Sequence, residues 1–259
     1  MSEGKLAVIL GGGNGIGAAT ARLMKARGWR VAVADLSLPD AQKVADEVGG
    51  PAYGIDVSDQ AGVEALAAEI EAQHGPVQAL VVCAAMFQER YAPEAFPMDL
   101  YGKILKVNIE GTFFANRVFG VRMAKRGSGS IVNVASVNAH KSSPTHAYGP
   151  TKAAVVNISA NLAGQWGRSG VRVNSVSPGA TLVARVLARP PGRYAANIED
   201  QIALGRRIQP EEVAEGIEFL ASDKASAITG IDLPIDAGSM AANGWSLYGG
   251  VPASIAESS

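Results

Sequence analysis

Short apolar, β-rich runs recur at Lys5–Leu10, Arg30–Ala34, Ala52–Ile55, Ala79–Val82, Ser130–Ala135, Val171–Val176 and Ile231–Ile235, and longer segments with helical spacing separate most of them. This alternation restricts the fold more than any other feature. A strand that is apolar throughout must be covered on both faces, and a helix between consecutive strands brings the chain back so that they pair in parallel. The expected architecture is therefore α/β: a doubly wound, mostly parallel sheet of seven strands with helices on both faces. No linker, repeat or composition shift interrupts the pattern, so residues 1–259, 47% of them hydrophobic, are read as a single domain with ample core. The least regular stretch, residues 182–207, contains Pro190, Pro191 and Gly192, which break any helix, and reads as a variable substrate loop.

Charge narrows the partners. Lysine plus arginine (23) nearly cancels aspartate plus glutamate (24), and the basic residues are scattered, so the electrostatic footprint of a nucleic-acid binder is missing. A small molecule or another subunit is the expected partner. Cys83 is the sole cysteine, which excludes an intrachain disulfide and suits a reducing compartment. The opening MSEGK lacks the layout of a signal peptide, and the longest uncharged apolar run, ALVVCAAMF from Ala79, is far below the ~18 residues of a membrane helix. A cytoplasmic protein without membrane contact is expected. His74, His140 and His146 lack metal-ligand spacing, so no metal is expected, although His140 and His146 are placed to line a substrate pocket.

The first strand runs into LGGGNGIG, Leu10 to Gly17. Glycines 11, 15 and 17, between a strand and the helix AATARLMKARG, let the backbone turn sharply and approach a diphosphate at the helix N-terminus, where free N–H groups and the dipole favour anions. The spacing is G-x-x-x-G-x-G and no Gly-Lys-Ser/Thr follows, which argues against a triphosphate P-loop. Asp35 ends the second strand, 18 positions beyond Gly17. A carboxylate there accepts hydrogen bonds from ribose hydroxyls and repels a 2′-phosphate, so NAD is expected rather than NADP. Leu36 and Asn14 agree, since neither offers positive charge. Asp35 can also be read as an exposed helix cap, and Asp56-Val57, ending the third strand, as a cap or an adenine-side contact.

Tyr148 and Lys152, in HAYGPTKAAV, are one helical turn apart, and Pro150 between them is tolerable only in a first turn. Both side chains therefore project from a helix entrance. A phenol with a pKa of about 10 is a poor base at neutral pH; an ammonium beside it favours phenolate, and lowering it by ~3 units takes about 4 kcal/mol. Such pairs also occur by chance on solvated helices. Here, however, Ser136 ends the strand SIVNVAS at the carboxyl edge of the sheet, where α/β folds collect their chemistry, and Asn108 in KVNIEGTFFAN is an amide amid apolar neighbours on the helix Leu100–Arg126. The alternatives for Ser136 and Asn108 are a strand-end cap and a packed amide.

From Lys5 to Gly238 the chain resembles the short, single-domain branch of the short-chain dehydrogenase/reductase family: GGGNGIG, Asp35, Asp56-Val57, the ALVVCAA turn, Asn108, Ser136, YGPTK, VRVNSVSPG and ITGIDLPIDAG follow in the same order. The resemblance implies a Rossmann-type fold, NAD as cofactor and a catalytic set of four. Tyr148 would be the general acid/base, Lys152 would depress its pKa and hold the nicotinamide ribose, Ser136 would orient the substrate oxygen, and Asn108 would hold a water in a proton path from Lys152. Ser136 and Tyr148 would thus bind the substrate. Gly11, Asn14, Gly15, Ile16 and Gly17 would contact the cofactor diphosphate; Asp35, Asp56 and Val57 its adenosine. Cys83 and Ala84 would border it, and Pro178, Gly179 and Thr181 would lie against the nicotinamide.

The sequence departs from the family pattern in places. Leu10 stands where threonine is common, Val82-Cys83-Ala84-Ala85 where Asn-Asn-Ala-Gly is common, and Val183 at a position often given to threonine. The family's threonine often bonds to the turn after the fourth strand, so losing polarity on both sides reads as one coupled change that leaves no orphan donor. Ala85 adds a methyl near the cofactor. Cys83 reads as a small buried apolar residue, not a nucleophile.

The expected activity is hydride transfer between NAD(H) and a secondary alcohol or ketone, with a polyol, sugar or hydroxy acid as the finer expectation. Alternatives are an NAD-using epimerase or dehydratase, whose relatives usually carry a sizeable further substrate domain, and a redox-sensing NAD-binding protein, which would lack part of the catalytic set. Arg185, Arg189 and Arg193 can bind a polar or anionic substrate or simply be solvated. Residues 239–259 hold Trp245, Leu247, Tyr248 and Val251 among small residues, too apolar for a solvated end and too short for a core. The resemblance implies a homo-tetramer with this segment at a subunit interface; packing on its own chain is the alternative.

Overall fold

The structure, a computed structural model, describes residues 4–184 and 198–252. Arg185, Arg189, Arg193 and the Pro190-Pro191-Gly192 break lie outside the described residues. Seven strands form one sheet: β1 Leu6–Leu10, β2 Arg30–Asp35, β3 Ala52–Gly54, β4 Val77–Val82, β5 Gly129–Val134, β6 Val171–Pro178 and β7 Asp232–Ile235. Their order is β3-β2-β1-β4-β5-β6-β7, every pairing parallel. Each strand expected from the sequence is present. The main difference is at the end of β6, which runs on to Pro178 and so takes in residues expected to be in the turn beyond it.

Register ties the ends of β1 and β4, and the next-to-last residues of β2 and β5, to one level across the sheet, with β6 and β7 running on beyond it. Ala34, Leu10, Val82, Asn133, Ser175 and Asp232 are successive partners across the sheet. Beyond that row the chain leaves the sheet at Gly11, Cys83 and Ala135. The order reverses between β1 and β4: β2 and β3 add on one side, β5 to β7 on the other. Their connections diverge there and open a crevice at the carboxyl ends, the place where such sheets bind ligands.

Both faces are covered, as all-apolar strands require. Ala7 and Ile9 of β1 and Ala79 and Val81 of β4 pack with helices α1 (Gly15–Ala26) and α2 (Leu38–Val48). The alternate residues Leu6, Val8, Leu10, Leu80 and Val82 pack with α3 (Gln60–His74). The helix expected over Leu100–Arg126 is a composite: α4 (Met98–Leu105), a π-helical turn (Lys106–Gly111) and α5 (Thr112–Arg126). Two further helices among the described residues cover the sheet, α6 (Tyr148–Trp166) on the α3 side and α7 (Pro210–Ala221) on the α1 side. Behind the crevice, Asn116 of α5 and Asn133 of β5 exchange amide hydrogen bonds at 2.8 and 2.9 Å, and Asn133 also donates to Ser159 of α6. Buried amides that satisfy one another in this way fix both helices on β5.

Candidate active site

The turn after β1 is a surface of bare main chain. A Cβ on Gly17 would stand 2.1 Å from the Gly11 carbonyl oxygen, and one on Gly11, where φ is +77°, would stand 2.5 Å from the Ala84 nitrogen. Only glycine permits these approaches. Asn14 precedes α1 in an extended conformation and makes no side-chain cap bond, while Ile16 packs into the core and aligns the first turn. Val183, at the start of the 182–207 segment, lies over the same turn, 3.2 Å from where a Cβ on Gly15 would be.

Asp35 closes this turn from the side. Its Oδ2 accepts from the Gly13 amide at 2.9 Å and its Oδ1 from the Ser37 amide at 3.1 Å. The cap of α2 is Ser37, whose hydroxyl accepts from the Asp40 amide, so the helix-cap reading of Asp35 does not hold. Asp56 accepts from the Ser58 amide at 2.9 Å, and Asp59 is the residue that precedes α3. Val57 is buried against Gly111. A groove of about 460 Å³ continues past Asp35, lined by Leu36, Tyr53, Ile55, Asp56 and Leu66. A glycine turn without side chains, a helix N-terminus and a groove beside it fit a dinucleotide.

The turn after β4 is joined to β1 by one atom. The Leu10 carbonyl accepts from the amides of both Cys83 and Ala84, at 2.8 and 2.9 Å. Main chain makes the joint here, and neither amide lacks an acceptor. Cys83 is half-buried rather than fully buried, packed at the margin of the core, and desolvation pushes its thiol up to about 12, which leaves it inert. Ala85 is exposed.

Ser136 follows β5, and its Oγ accepts from the Asn138 amide at 3.2 Å. Tyr148 is the first residue of α6 and is half-buried; Lys152, 2% exposed, places its Nζ 5.6 Å from the centre of the Tyr148 ring and donates to the Val134 carbonyl at 2.7 Å. Val134 ends β5, so the ammonium is fixed beside both the phenol and the strand that delivers Ser136. The Phe87 ring packs on Tyr148 with centroids 4.6 Å apart.

Asn108 lies on the π turn and is buried. Its Oδ1 accepts from the Met86 amide at 2.7 Å, and its Nδ2 donates to the Met86 carbonyl at 2.9 Å and to Thr151 Oγ1 at 3.0 Å. Thr151 in turn donates to the Tyr148 carbonyl at 2.8 Å. The carboxamide thus clasps the loop after β4 to the first turn of α6. Gln88 was not singled out in the sequence: 1% exposed, its Oε1 accepts from the Ala147 and Tyr148 amides, both at 2.7 Å. No local pattern marks it, because its partners are some 60 residues away.

Pro178 ends β6 and Gly179 follows it against Asp236, where a Cβ would come within 2.8 Å of the aspartate backbone. Thr181 is buried and bridges to Ile208. His140 is bound to Asp232 at 2.8 Å, which commits its ring to β7, and His146 is exposed. No group of histidine, cysteine and carboxylate suited to a metal occurs among the described residues.

The family model described as enoyl-(acyl carrier protein) reductase matches residues 11–240. D-threitol dehydrogenase from Mycolicibacterium smegmatis is 37% identical, with 91% of this chain and 93% of that protein covered. The chain belongs to the short-chain dehydrogenase/reductase family. Meso-2,3-butanediol dehydrogenase from Serratia marcescens is 36% identical over 93% of this chain and 97% of its own. A solved structure described as ribose-5-phosphate isomerase from Brucella melitensis 16M has a TM-score of 0.92 at 41% identity, covering 97% of this chain and 98% of that one. As a short-chain dehydrogenase/reductase, the protein is an oxidoreductase that uses a nicotinamide cofactor. No helix among the described residues is long and apolar enough to cross a membrane.

Proposed function

We propose that the protein is a cytoplasmic, NAD-dependent dehydrogenase of secondary alcohols, with small polyols as its substrate class. The observation that carries this reading is the Lys152 ammonium, held by Val134 at 2.7 Å and standing 5.6 Å from the Tyr148 ring centre. A fixed ammonium favours the ionised phenol, and an ionised phenol at a crevice wall can take a proton from an alcohol. Ser136 holds the substrate oxygen toward it, and Lys152 binds the nicotinamide ribose. Asn108 acts through its clasp on Met86 and Thr151, with the second lone pair of Oδ1 left for a water. When bound, the nicotinamide supplies the hydride acceptor.

The glycine turn and α1 would hold the diphosphate, Asp35 the ribose hydroxyls, the groove beside Asp56 and Val57 the adenine, and Pro178, Gly179 and Thr181 the nicotinamide side. Asp35 disfavours a 2′-phosphate, which supports NAD. The D-threitol and butanediol dehydrogenases among the relatives support a polyol. The test is reduction of NAD or NADP, followed by absorbance, with D-threitol, meso-2,3-butanediol and simple secondary alcohols. Turnover with NAD that rises with pH is expected; activity with NADP alone, or with none of these alcohols, overturns the reading. The isomerase name of the Brucella melitensis neighbour suggests a second reading, chemistry with no net redox change. Conversion of ribose 5-phosphate without NADH formation would favour it.

The same reading includes a homo-tetramer. The start of residues 239–252 is bound in its own chain, since Asp236 accepts from the Gly238 and Met240 amides and the Ser239 hydroxyl. Leu247 and Tyr248 are 84% and 88% exposed, an apolar pair that a neighbouring subunit would cover. Light scattering on the full chain is expected to give four subunits, and a chain ending at Ala242 fewer; a monomeric full chain overturns this.

A further inference from the structure

The first turn of a helix has amides without intrahelical acceptors. In α6 they are all accounted for: Gly149 donates to the Thr145 carbonyl, residue 150 is proline, and the Thr151 amide returns to Ala147. What remains is Ala147 and Tyr148, and both donate to the single Oε1 of Gln88. Ala147 is the residue before the helix and has no side-chain acceptor to offer. The acceptor comes instead from outside the helix, from the loop after β4 that Asn108 grips at Met86. The next residue back, Phe87, packs on the Tyr148 ring.

We propose that Gln88 is a positioning residue: its side-chain oxygen sets where the Tyr148 phenol stands relative to Lys152, so that the loop after β4 fixes the acid/base group from outside its own helix. This rests on the assignment of Tyr148 as the acid/base. Without the oxygen the first turn of α6 loosens, the phenol drifts from the ammonium, and less of it is ionised. The full charge of Lys152 outweighs the opposing half charge of the uncovered helix end.

Two substitutions separate positioning from bulk stability. Gln88→Met keeps length and shape but removes the acceptor; Gln88→Glu keeps an oxygen in place. The first readout is the tyrosinate absorbance titration, with the Tyr148 contribution isolated by subtracting the Tyr148→Phe protein, which needs no substrate. The second is kcat for D-threitol oxidation per NADH-binding site. Gln88→Met is expected to shift the Tyr148 transition to higher pH and to lower kcat about tenfold to a hundredfold, the scale of a small misplacement, with NADH affinity retained. Gln88→Glu keeps the acceptor for both amides but sets a carboxylate near the phenolate, so it is expected to recover kcat only in part, with the Tyr148 transition still above that of the unaltered protein. An unmoved Tyr148 transition in Gln88→Met, or a loss of kcat fully explained by lost NADH sites, overturns the proposal. If D-threitol is not oxidised by the unaltered protein, that counts against the polyol reading, and the titration alone decides Gln88.

Discussion

Around β1 and β2 the crevice is bounded by main chain brought close by side chains that are not there, whereas around β5 and α6 it is bounded by side chains held in place by hydrogen bonds. Gly11 and Gly17 approach Ala84 and each other at distances a Cβ forbids. Asn108, Gln88, Thr151 and Lys152 each hold or are held by a named backbone atom. The first region cannot accept an added atom, and the second cannot spare one. A nucleotide is recognised by shape and by amides any residue could supply; a proton has to be moved by one particular oxygen.

The strongest way to break this contrast is Tyr148→Phe, which removes one oxygen and leaves the ring on Phe87. Turnover is expected to fall by ~10²–10⁴ while NADH binding, followed by fluorescence, is unchanged. Near-normal turnover would remove Tyr148 from the chemistry. In the other region the matching change adds a carbon. Gly17→Ala is expected to cost about 1–3 kcal/mol of stability in denaturant titration and to weaken cofactor binding. Gly164→Ala, on the exposed side of α6 with no atom within 4 Å of the new carbon, should instead stabilise by up to ~1 kcal/mol. Equal effects at the two glycines would show that the close approach to Gly11 does not matter.

Asp35 is where the bare turn borrows a side chain. Asp35→Ala should narrow the proposed preference for NAD over NADP about fivefold, the scale of a single screened charge contact of ~1 kcal/mol. A preference that does not move would place the discrimination elsewhere. The smallest effect is at Cys83, between the two regions. Above pH 9.0 the thiol of the unfolded chain loses its proton, while burial keeps the folded one protonated to about pH 12. Unfolding then releases a proton, so stability falls as pH rises across that interval. Cys83→Ala should flatten that fall in urea titrations at successive pH values; an identical slope would mean that the thiol is not shielded.

The same contrast explains what the sequence disclosed. The strands, the glycine turn and the Tyr148–Lys152 pair are legible because each depends on near neighbours: period, backbone freedom, or one helical turn. Pro150 even located the helix entrance. Gln88 and the Asn108 clasp were not legible, since they join residues 22 to 60 positions apart and any glutamine or asparagine looks alike until the loops are placed. Asp35 and Asp56 were ambiguous between cap and contact for a related reason. Which serine or aspartate caps a helix depends on where the helix begins, and Ser37 and Asp59 stand at those beginnings. The π turn at Lys106–Gly111 was likewise hidden, because its apolar spacing reads as an ordinary helix.

The Leu10 carbonyl, which takes the amides of both Cys83 and Ala84, belongs to the part of a residue that all twenty amino acids share. A point substitution at position 10 therefore cannot delete the joint, and at 83 or 84 only proline could remove an amide from it. The seam where the sheet divides is in this sense outside the reach of most mutations. As far as this joint is concerned, the side chains at 10, 83 and 84 can change without dismantling the crevice beside it.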